Sequence, residues 1–167
     1  MFDDAQQGAG AGHGGLFAQR EALTTVARGM LAQLPQDAVR IVFSGNYLAG
    51  YSKYRMQAFD AAGTPQFLEP DETVSRGVKQ LREVMYRDGQ GTWFSTQISV
   101  DRAGRVETSF NYDDEPEWSF NLVPPAGEFQ YDLKIYPRNE DAIPDWLRRR
   151  RDDVRDEPMA PGPGSEA

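Results

Sequence analysis

The sequence predicts an α+β fold, in which an antiparallel β-sheet of about four to five strands has helices packed on one side. Apolar residues recur at helical spacing in two long segments, and elsewhere they alternate at the two-residue period of strands. The predicted order is helix, two strands, helix, two or three strands, helix, with short connections throughout. This order favours an antiparallel sheet with its helices on one face.

The first half of the chain supplies a helix and two strands. The helix carries one apolar stripe and ends at Pro35; the stripe consists of Leu16, Leu23, Val26, Met30 and Leu34. Two β-rich segments follow in VRIVFSGNYLAGYSKYRMQAF, separated by a turn near Gly45 or Gly50. The second segment alternates as a strand covered on one face does, with Ser52, Tyr54, Met56 and Ala58 on that face. Residues 60–63 form the next turn.

The second half begins with a helix near Pro70, a residue suited to a first helical turn. Its predicted buried stripe consists of Val74, Val78, Leu81 and Met85. A hairpin follows, because Asp101 and Gly104 supply turn chemistry between two alternating runs. The two runs place Phe94, Thr96, Ile98 and Val100 on one face, and Val106, Thr108, Phe110 and Tyr112 on another.

The rest of the chain is less regular. A short strand at residues 118–122 extends the sheet, FQYDLKIYPR is compatible with a helix or a strand, and a last helix near residues 143–154 carries Trp146 and Leu147. The ends are rich in glycine or proline without periodicity, so we expect disorder at residues 1–15 and 153–167. Residues 16–152 then form a single domain.

The charge balance restricts the class of partner. Eighteen basic against 26 acidic side chains give a net charge of −8 over 167 residues. Such a field repels nucleic acid and anionic membranes and speeds the encounter with a basic protein, or it serves solubility alone. No apolar run reaches the ~18 residues that span a bilayer. The acidic start of the chain lacks the features of a signal peptide, and cysteine is absent, so we expect a cytoplasmic protein.

Most catalytic chemistry lacks its residues here. The single histidine, His13, lies in a glycine-rich segment, and there is no cysteine. Nucleophilic triads and zinc sites therefore lack their usual groups. No phosphate-binding glycine motif is present either. We expect no cofactor, no metal and no catalytic residue.

The stretch NYDDEPEW is the most distinctive segment. It places Asp113, Asp114, Glu115 and Glu117 between Tyr112 and Trp118. Four interpretations are open: a solvated turn, a calcium site, an acid–base pair, or an acidic face that binds a partner. The spacing does not match an EF-hand loop, and a proline interrupts the acids. Flanking aromatic residues favour partner binding, because interface anchors are often aromatic. These six residues are the candidate partner-binding site.

The run LRRRRDDVRDE allows two interpretations. Its four arginines, at positions 148–151, have the charge to contact phosphates. On a helix, however, Arg148 faces Asp152 and Arg149 faces Asp153 at a spacing of four, so internal ion pairs are the simpler expectation.

Two segments resemble a known family. MYRDGQGTWFSTQISVDRAGRVETSFNYDDEPEW and YDLKIYPRNEDAIPDWL are similar to the YezG-type immunity proteins, small bacterial antidotes to secreted polymorphic toxins. The resemblance covers roughly residues 70–150. The matching positions are Gly91, Trp93, Phe94, Phe110, Tyr112, Asp113, Glu115, Pro116, Trp118, Asp132, Leu133, Pro137, Arg138, Ile143, Pro144, Trp146 and Leu147.

The resemblance implies a non-catalytic α+β antitoxin that binds a cognate toxin domain and blocks it. Many such toxins are nucleases with a basic cleft, which an acidic inhibitor can occupy; an NAD-degrading toxin is also compatible. Two alternatives stay open: an interaction or scaffold module, and an enzyme that uses carboxylates with a divalent metal. The sequence does not indicate an oligomeric state.

Overall fold

The computed structural model describes residues 13–118 and 122–153, which contain four α-helices and five strands. In chain order these are α1 (His13–Ala32), β1 (Ala38–Tyr47), β2 (Ser52–Asp60), β3 (Pro65–Leu68), α2 (Glu72–Val84), β4 (Ser95–Asp101), β5 (Val106–Asn111), α3 (Ala126–Ile135) and α4 (Asp145–Arg151), with a short 3₁₀ helix at Glu140–Ala142. The strands form one antiparallel sheet in the order β3-β2-β1-β4-β5. The predicted α+β class is confirmed.

The described residues fall into two compact units. The first contains the chain up to Val42, Met56–Met85 and Ile98–Glu107, and the second contains Phe43–Arg55, Tyr86–Gln97 and the chain from Thr108 on. The first unit holds α1, β3 and α2, and the second holds α3 and α4. The segments expected to be disordered lie largely outside the described residues, although α1 already begins at His13. That residues 16–152 form one domain stays a prediction.

In the first unit, α1 packs on α2 through glycine. A Cβ on Gly77 would lie 2.8 Å from Cγ2 of Val26, and a Cβ on Gly29 would lie 3.0 Å from Cγ2 of Val74. Missing side chains at these two positions let the helices approach closely. Val26 and Val74 are fully buried at this contact.

The apolar stripe of α1 is only partly as predicted. Val26 and Met30 are fully buried, but Leu16 is 66% exposed, and Leu23 and Leu34 are half-buried. The buried residues of α1 lie where Gly29 and Gly77 allow α2 to approach closely. A pattern of apolar residues does not predict this contact, because glycine does not stand out in it. On α2 the predicted stripe of Val74, Val78, Leu81 and Met85 is buried throughout, and Asp71 caps the helix by accepting a hydrogen bond from the Val74 N–H at 2.9 Å.

Strand β3 was not predicted. It pairs antiparallel with β2, with Phe67 opposite Gln57 and Pro65 opposite Phe59. Proline at the first position of an edge strand is tolerated, because the missing N–H need not join the ladder. The turn before β3 is as predicted, with Gly63 at φ +82° and the Thr64 N–H donating to Asp60 at 2.8 Å.

The hairpin of β4 and β5 is confirmed. Gly104 has φ +84°, and the Asp101 carboxylate accepts the Arg105 N–H at 2.9 Å. The four residues predicted to share one face, Phe94, Thr96, Ile98 and Val100, are all buried, and the last three lie in β4. Next to the turn, the Arg102 guanidinium donates to the carbonyls of Pro35, Gln36 and Ala38, so this side chain fixes the loop between α1 and β1.

The second unit is built on aromatic side chains. Its buried cluster contains Leu48, Phe94, Trp118, Phe129, Ile143, Trp146 and Leu147. Phe94 and Trp146 meet edge to face at 4.9 Å between ring centroids, and Phe129 meets Trp118 in the same way at 5.6 Å. Such pairs contribute about 0.5–1.5 kcal/mol each beyond the area they bury.

Sequence patterns were least successful in this unit. The segment FQYDLKIYPR lies mostly in α3. The predicted strand at residues 118–122 is not seen at its ends, since Trp118 and Leu122 are in no regular element, and residues 119–121 lie outside the described residues. The last helix is shorter than predicted, because α4 ends at Arg151. The turn between β1 and β2 lies at Gly50, where Leu48 and Tyr51 exchange backbone hydrogen bonds.

The glycine contact of α1 and α2 gives a test of the packing. Replacing Gly77 with Val inserts three carbons against Val26, whose branched side chain has little freedom to move. We expect the free energy of unfolding to fall by about 2 kcal/mol or more, measured by urea denaturation. The exposed Gln80→Val change on the same helix is the matched control, with an expected loss below about 0.5 kcal/mol. Equal losses at the two positions would contradict the close contact.

Candidate partner-binding site

The acidic segment leaves β5 through a turn that Asn111 organises. The side-chain oxygen of Asn111 accepts the backbone N–H groups of Asp113 at 3.2 Å and Asp114 at 2.9 Å. Its amide group donates to the Asp114 carbonyl at 2.8 Å and to Ser95 Oγ at 3.1 Å. An asparagine that bonds the backbone two and three residues ahead stabilises a tight turn. The backbone of the segment is therefore fixed at its start.

Two side-chain hydrogen bonds and the burial of Pro116 and Trp118 fix the rest of the segment. Trp146 Nε1 donates to the Asp113 carbonyl at 2.6 Å, and Asn46 Nδ2 donates to the Glu117 carbonyl at 2.6 Å. Pro116 is buried, and Trp118 is only 8% exposed within the aromatic cluster. These contacts use backbone atoms of the acidic residues, so their carboxylates are left to point elsewhere.

The four acids of the candidate site fall into two groups. Asp113, Asp114 and Glu117 are exposed, and in the described ranges their carboxylates form no ion pair. Glu115 is half-buried and pairs with Arg150 Nε at 2.7 Å, and it also accepts Trp118 Nε1 at 3.3 Å. The structure thus gives Glu115 and Trp118 an intramolecular role and leaves three carboxylates on the surface.

Tyr112 lies beside the segment with its hydroxyl buried. The hydroxyl oxygen has no hydrogen-bond partner in the part of the chain that the structure describes. The Arg87 guanidinium lies over the ring, 5.2 Å from its centroid. Burial raises the pKa of the Tyr112 hydroxyl, and the positive charges of Arg87 and Arg138 oppose this shift only in part.

Arg138 connects the site to three backbone segments. Its guanidinium donates to the carbonyls of Thr92 at 2.9 Å, Tyr112 at 2.9 Å and Ala142 at 3.2 Å. The same group lies 4.7 Å from the centre of the Phe94 ring, within the range of a cation–π contact.

Gly91 makes room for Arg138. It has φ +80°, and a Cβ there would overlap the arginine side chain. Both the backbone conformation and the close approach therefore require glycine. No local pattern in the sequence joins Gly91 to Arg138, because the two residues lie far apart in the chain.

The arginine run does not form the predicted pairs. Arg148 contacts Glu140, with nitrogen and carboxylate oxygen 3.8 Å apart, and donates to the Ile143 carbonyl at 3.2 Å. Arg151, the neighbour in sequence, makes the ion pair with Asp152 at 2.9 Å. The Asp152 N–H still bonds the Arg148 carbonyl at 3.0 Å, so the last helical turn reaches Asp152, but the Arg148 side chain is directed to Glu140 and Ile143 instead. Asp153 lies beyond the end of α4 at Arg151. Arg148, Arg150 and Arg151 instead fasten α4 to the segments around it.

The described part of the chain contains neither a group of side chains suited to a metal ion nor a helix suited to a membrane. Within residues 13–118 and 122–153, no three histidine or carboxylate side chains come together in a way that could hold a metal ion. No helix in those ranges has both the length and the apolar character to cross a membrane.

Comparison with known proteins identifies one family. The family model described as "Immunity protein YezG-like" matches residues 30–143. A search of curated proteins gives no match. The matched range contains parts of both units and the whole acidic segment, from Tyr112 to Trp118.

Arg138 should be essential to the stability of the site. In Arg138→Lys a compact ammonium replaces the wide guanidinium fork and cannot reproduce its contacts with all three carbonyls, so partly buried acceptors lose a donor. We expect the free energy of unfolding to fall by about 2–3 kcal/mol, measured by urea denaturation followed by tryptophan fluorescence. The exposed Arg149→Lys change serves as the control and should leave the midpoint unchanged. A stable Arg138→Lys protein would show that the three contacts are dispensable.

The raised pKa of Tyr112 predicts the direction in which stability changes with pH. Its pKa is raised in the folded state, so the unfolded chain loses its hydroxyl proton first, near pH 10. The stability that this group contributes is complete below that pH and is lost as the pH rises through the folded pKa. Tyr112→Phe should therefore lose less stability than the parent protein between pH 9 and pH 11.

At pH 7 the same variant should be as stable as the parent or more stable by up to about 1 kcal/mol, because a buried hydroxyl without a partner is removed. Both measurements are denaturant titrations at fixed pH. Tyr131→Phe, at an exposed tyrosine on α3, is the control and should follow the parent. A Tyr112→Phe protein less stable than the parent at pH 7 would reveal a hydrogen bond to the hydroxyl.

Proposed function

This chain belongs to the YezG-like immunity protein family, and on that premise we propose that it binds a cognate secreted toxin domain in the cytoplasm and inhibits it by stoichiometric occlusion through an acidic surface. The surface consists of Asp113, Asp114 and Glu117, with Tyr112, Glu115 and Trp118 as the residues beneath and beside it. The partner is a basic protein, and we propose a nuclease. Inhibition of this kind needs no cofactor and no catalytic residue in the inhibitor.

One observation carries the proposal: three carboxylates are exposed on a backbone that is already fixed. Hydrogen bonds from Asn111, Asn46 and Trp146 hold the main chain of the segment. A side chain presented from an ordered backbone loses less conformational entropy on binding than one on a flexible loop. The three acidic side chains therefore lose little further conformational entropy when a partner binds.

Electrostatics explains why the partner should be basic. The chain carries a net charge of −8, and the exposed acids add a local concentration of the same sign. A nuclease must attract phosphates, so its cleft is positive, and the same field attracts carboxylates. Charge complementarity of this kind raises the association rate more than the affinity, as an inhibitor of a lethal enzyme requires.

The first experiment is co-expression with the protein encoded directly beside this gene. We expect growth to be rescued and the two proteins to purify as a one-to-one complex, measured by size-exclusion chromatography with light scattering. An unrelieved toxic effect together with no complex would refute the proposed function. A complex without rescue would point instead to an interaction module.

The acidic surface is tested with a charge-matched pair of variants. Asp113→Asn, Asp114→Asn and Glu117→Gln together should slow association about tenfold at low salt and flatten its dependence on ionic strength, because the steering field at the contact is removed. The control combines Glu21→Gln, Glu69→Gln and Glu83→Gln, which change the net charge equally at exposed positions of the first unit, away from β5. Stopped-flow kinetics with the purified partner measures both.

Equal effects of the two triple variants would show that net charge alone acts. If neither variant changes the association rate, the contact surface lies elsewhere on the molecule.

A further inference from the structure

Strand β5 is an edge of the sheet. It is the last strand in the order β3-β2-β1-β4-β5, and within residues 13–118 and 122–153 no strand or isolated bridge pairs with its outer side. The backbone carbonyl of Asn111 accepts a hydrogen bond from the Phe94 N–H at 2.7 Å, and that of Ser109 accepts one from Thr96 Oγ1 at 3.0 Å. Residues 109 and 111 therefore direct their polar groups towards β4.

The alternation of an antiparallel strand then fixes the orientation of the residues between them. Successive residues direct their N–H and C=O groups to opposite edges, so those of Thr108 and Phe110 face outward. Thr108 is exposed and Phe110 is half-buried. An outward row of donors and acceptors is a template for one more strand.

The two edges of the sheet differ in how they are protected. Edge strands commonly avoid unwanted pairing through proline, lysine or short length. Strand β3 has four residues and begins with Pro65, so its edge is blunted. Strand β5, with the sequence VETSFN, contains neither proline nor lysine, and its Val106, Thr108 and Phe110 are of types that favour strands.

Charge indicates what covers the β5 edge. The strand leads directly into the segment that carries Asp113, Asp114 and Glu117, whose carboxylates are exposed. A second copy of this acidic chain would bring charges of the same sign to that edge, which disfavours self-pairing. An extended segment with lysine or arginine side chains satisfies the backbone groups and the carboxylates together.

We infer that the toxin domain binds by adding an extended, basic segment to the outer edge of β5 at residues 108–111, with its lysine or arginine side chains on the acids at positions 113, 114 and 117. This inference rests on the proposed function and specifies its geometry. Main-chain hydrogen bonds at the edge supply affinity for any extended chain, and the adjoining carboxylates select a positively charged one.

Hydrogen exchange tests the inference without any substitution. The backbone N–H groups of Thr108 and Phe110 should exchange rapidly in the free protein and slow by at least about 100-fold in the complex, because strand addition would pair them. The probe is the protein encoded beside this gene, co-purified with the full chain, and the readout is residue-resolved exchange by NMR. The N–H groups of Ser109 and Asn111 are the internal control and should change little.

A pair of variants supplies an independent readout. Thr108→Pro removes one outward N–H and spares the ladder to β4, so we expect the dissociation constant to rise about tenfold or more. Thr108→Ala keeps that N–H and should change it by less than about threefold. A cooperative urea transition shows that each variant is folded.

The outcomes separate the two hypotheses. A one-to-one complex in which Thr108 and Phe110 exchange as fast as in the free protein would overturn the strand addition and leave the immunity function standing. No complex at all would overturn the proposed function and this inference with it. Protection of both N–H groups, with Thr108→Pro weakened relative to Thr108→Ala, would establish the geometry.

Discussion

Three backbone carbonyls converge on the guanidinium of Arg138, and the second unit depends on that convergence. Thr92, Tyr112 and Ala142 belong to segments that are distant in sequence. Without Arg138, the partly buried carbonyl of each would lose a hydrogen bond. The guanidinium serves all three at once through its fork of N–H donors. Gly91 leaves room for that group, and the Phe94 ring lies against it in a cation–π contact.

The ordered conformation of the acidic segment depends on this arrangement. The Tyr112 carbonyl is held by Arg138 at one end, and Trp118 is buried in the aromatic cluster at the other. Between them Glu115 turns inward to Arg150, which ties the segment to α4. A row of acids that resembles a solvated turn in the sequence is therefore a well-supported platform from which three carboxylates reach the surface.

Periodic elements could be predicted from the sequence, and elements defined by distant contacts could not. The stripe of α2 and the alternation of β4 were visible because one face of each is uniformly buried. Strand β3 was missed because it is four residues long and begins with proline. For the candidate site, the acids were recognisable from composition, but the inward role of Glu115 depends on Arg150, 35 positions away. Helical spacing misassigned the arginine pairs because the Arg148 side chain is directed to Glu140 and because α4 ends at Arg151, before Asp153.

The segment is anchored by its backbone and by Glu115, Pro116 and Trp118, whereas the side chains of its other three acids take no part in the anchoring. The hydrogen bonds at Asp113, Asp114 and Glu117 use main-chain atoms, which every amino acid provides. Outward side chains at these three positions can therefore be exchanged while the anchors stay in place. Three positions of the segment are thus free to vary without loss of its fold, which under the function proposed above separates the choice of partner from folding.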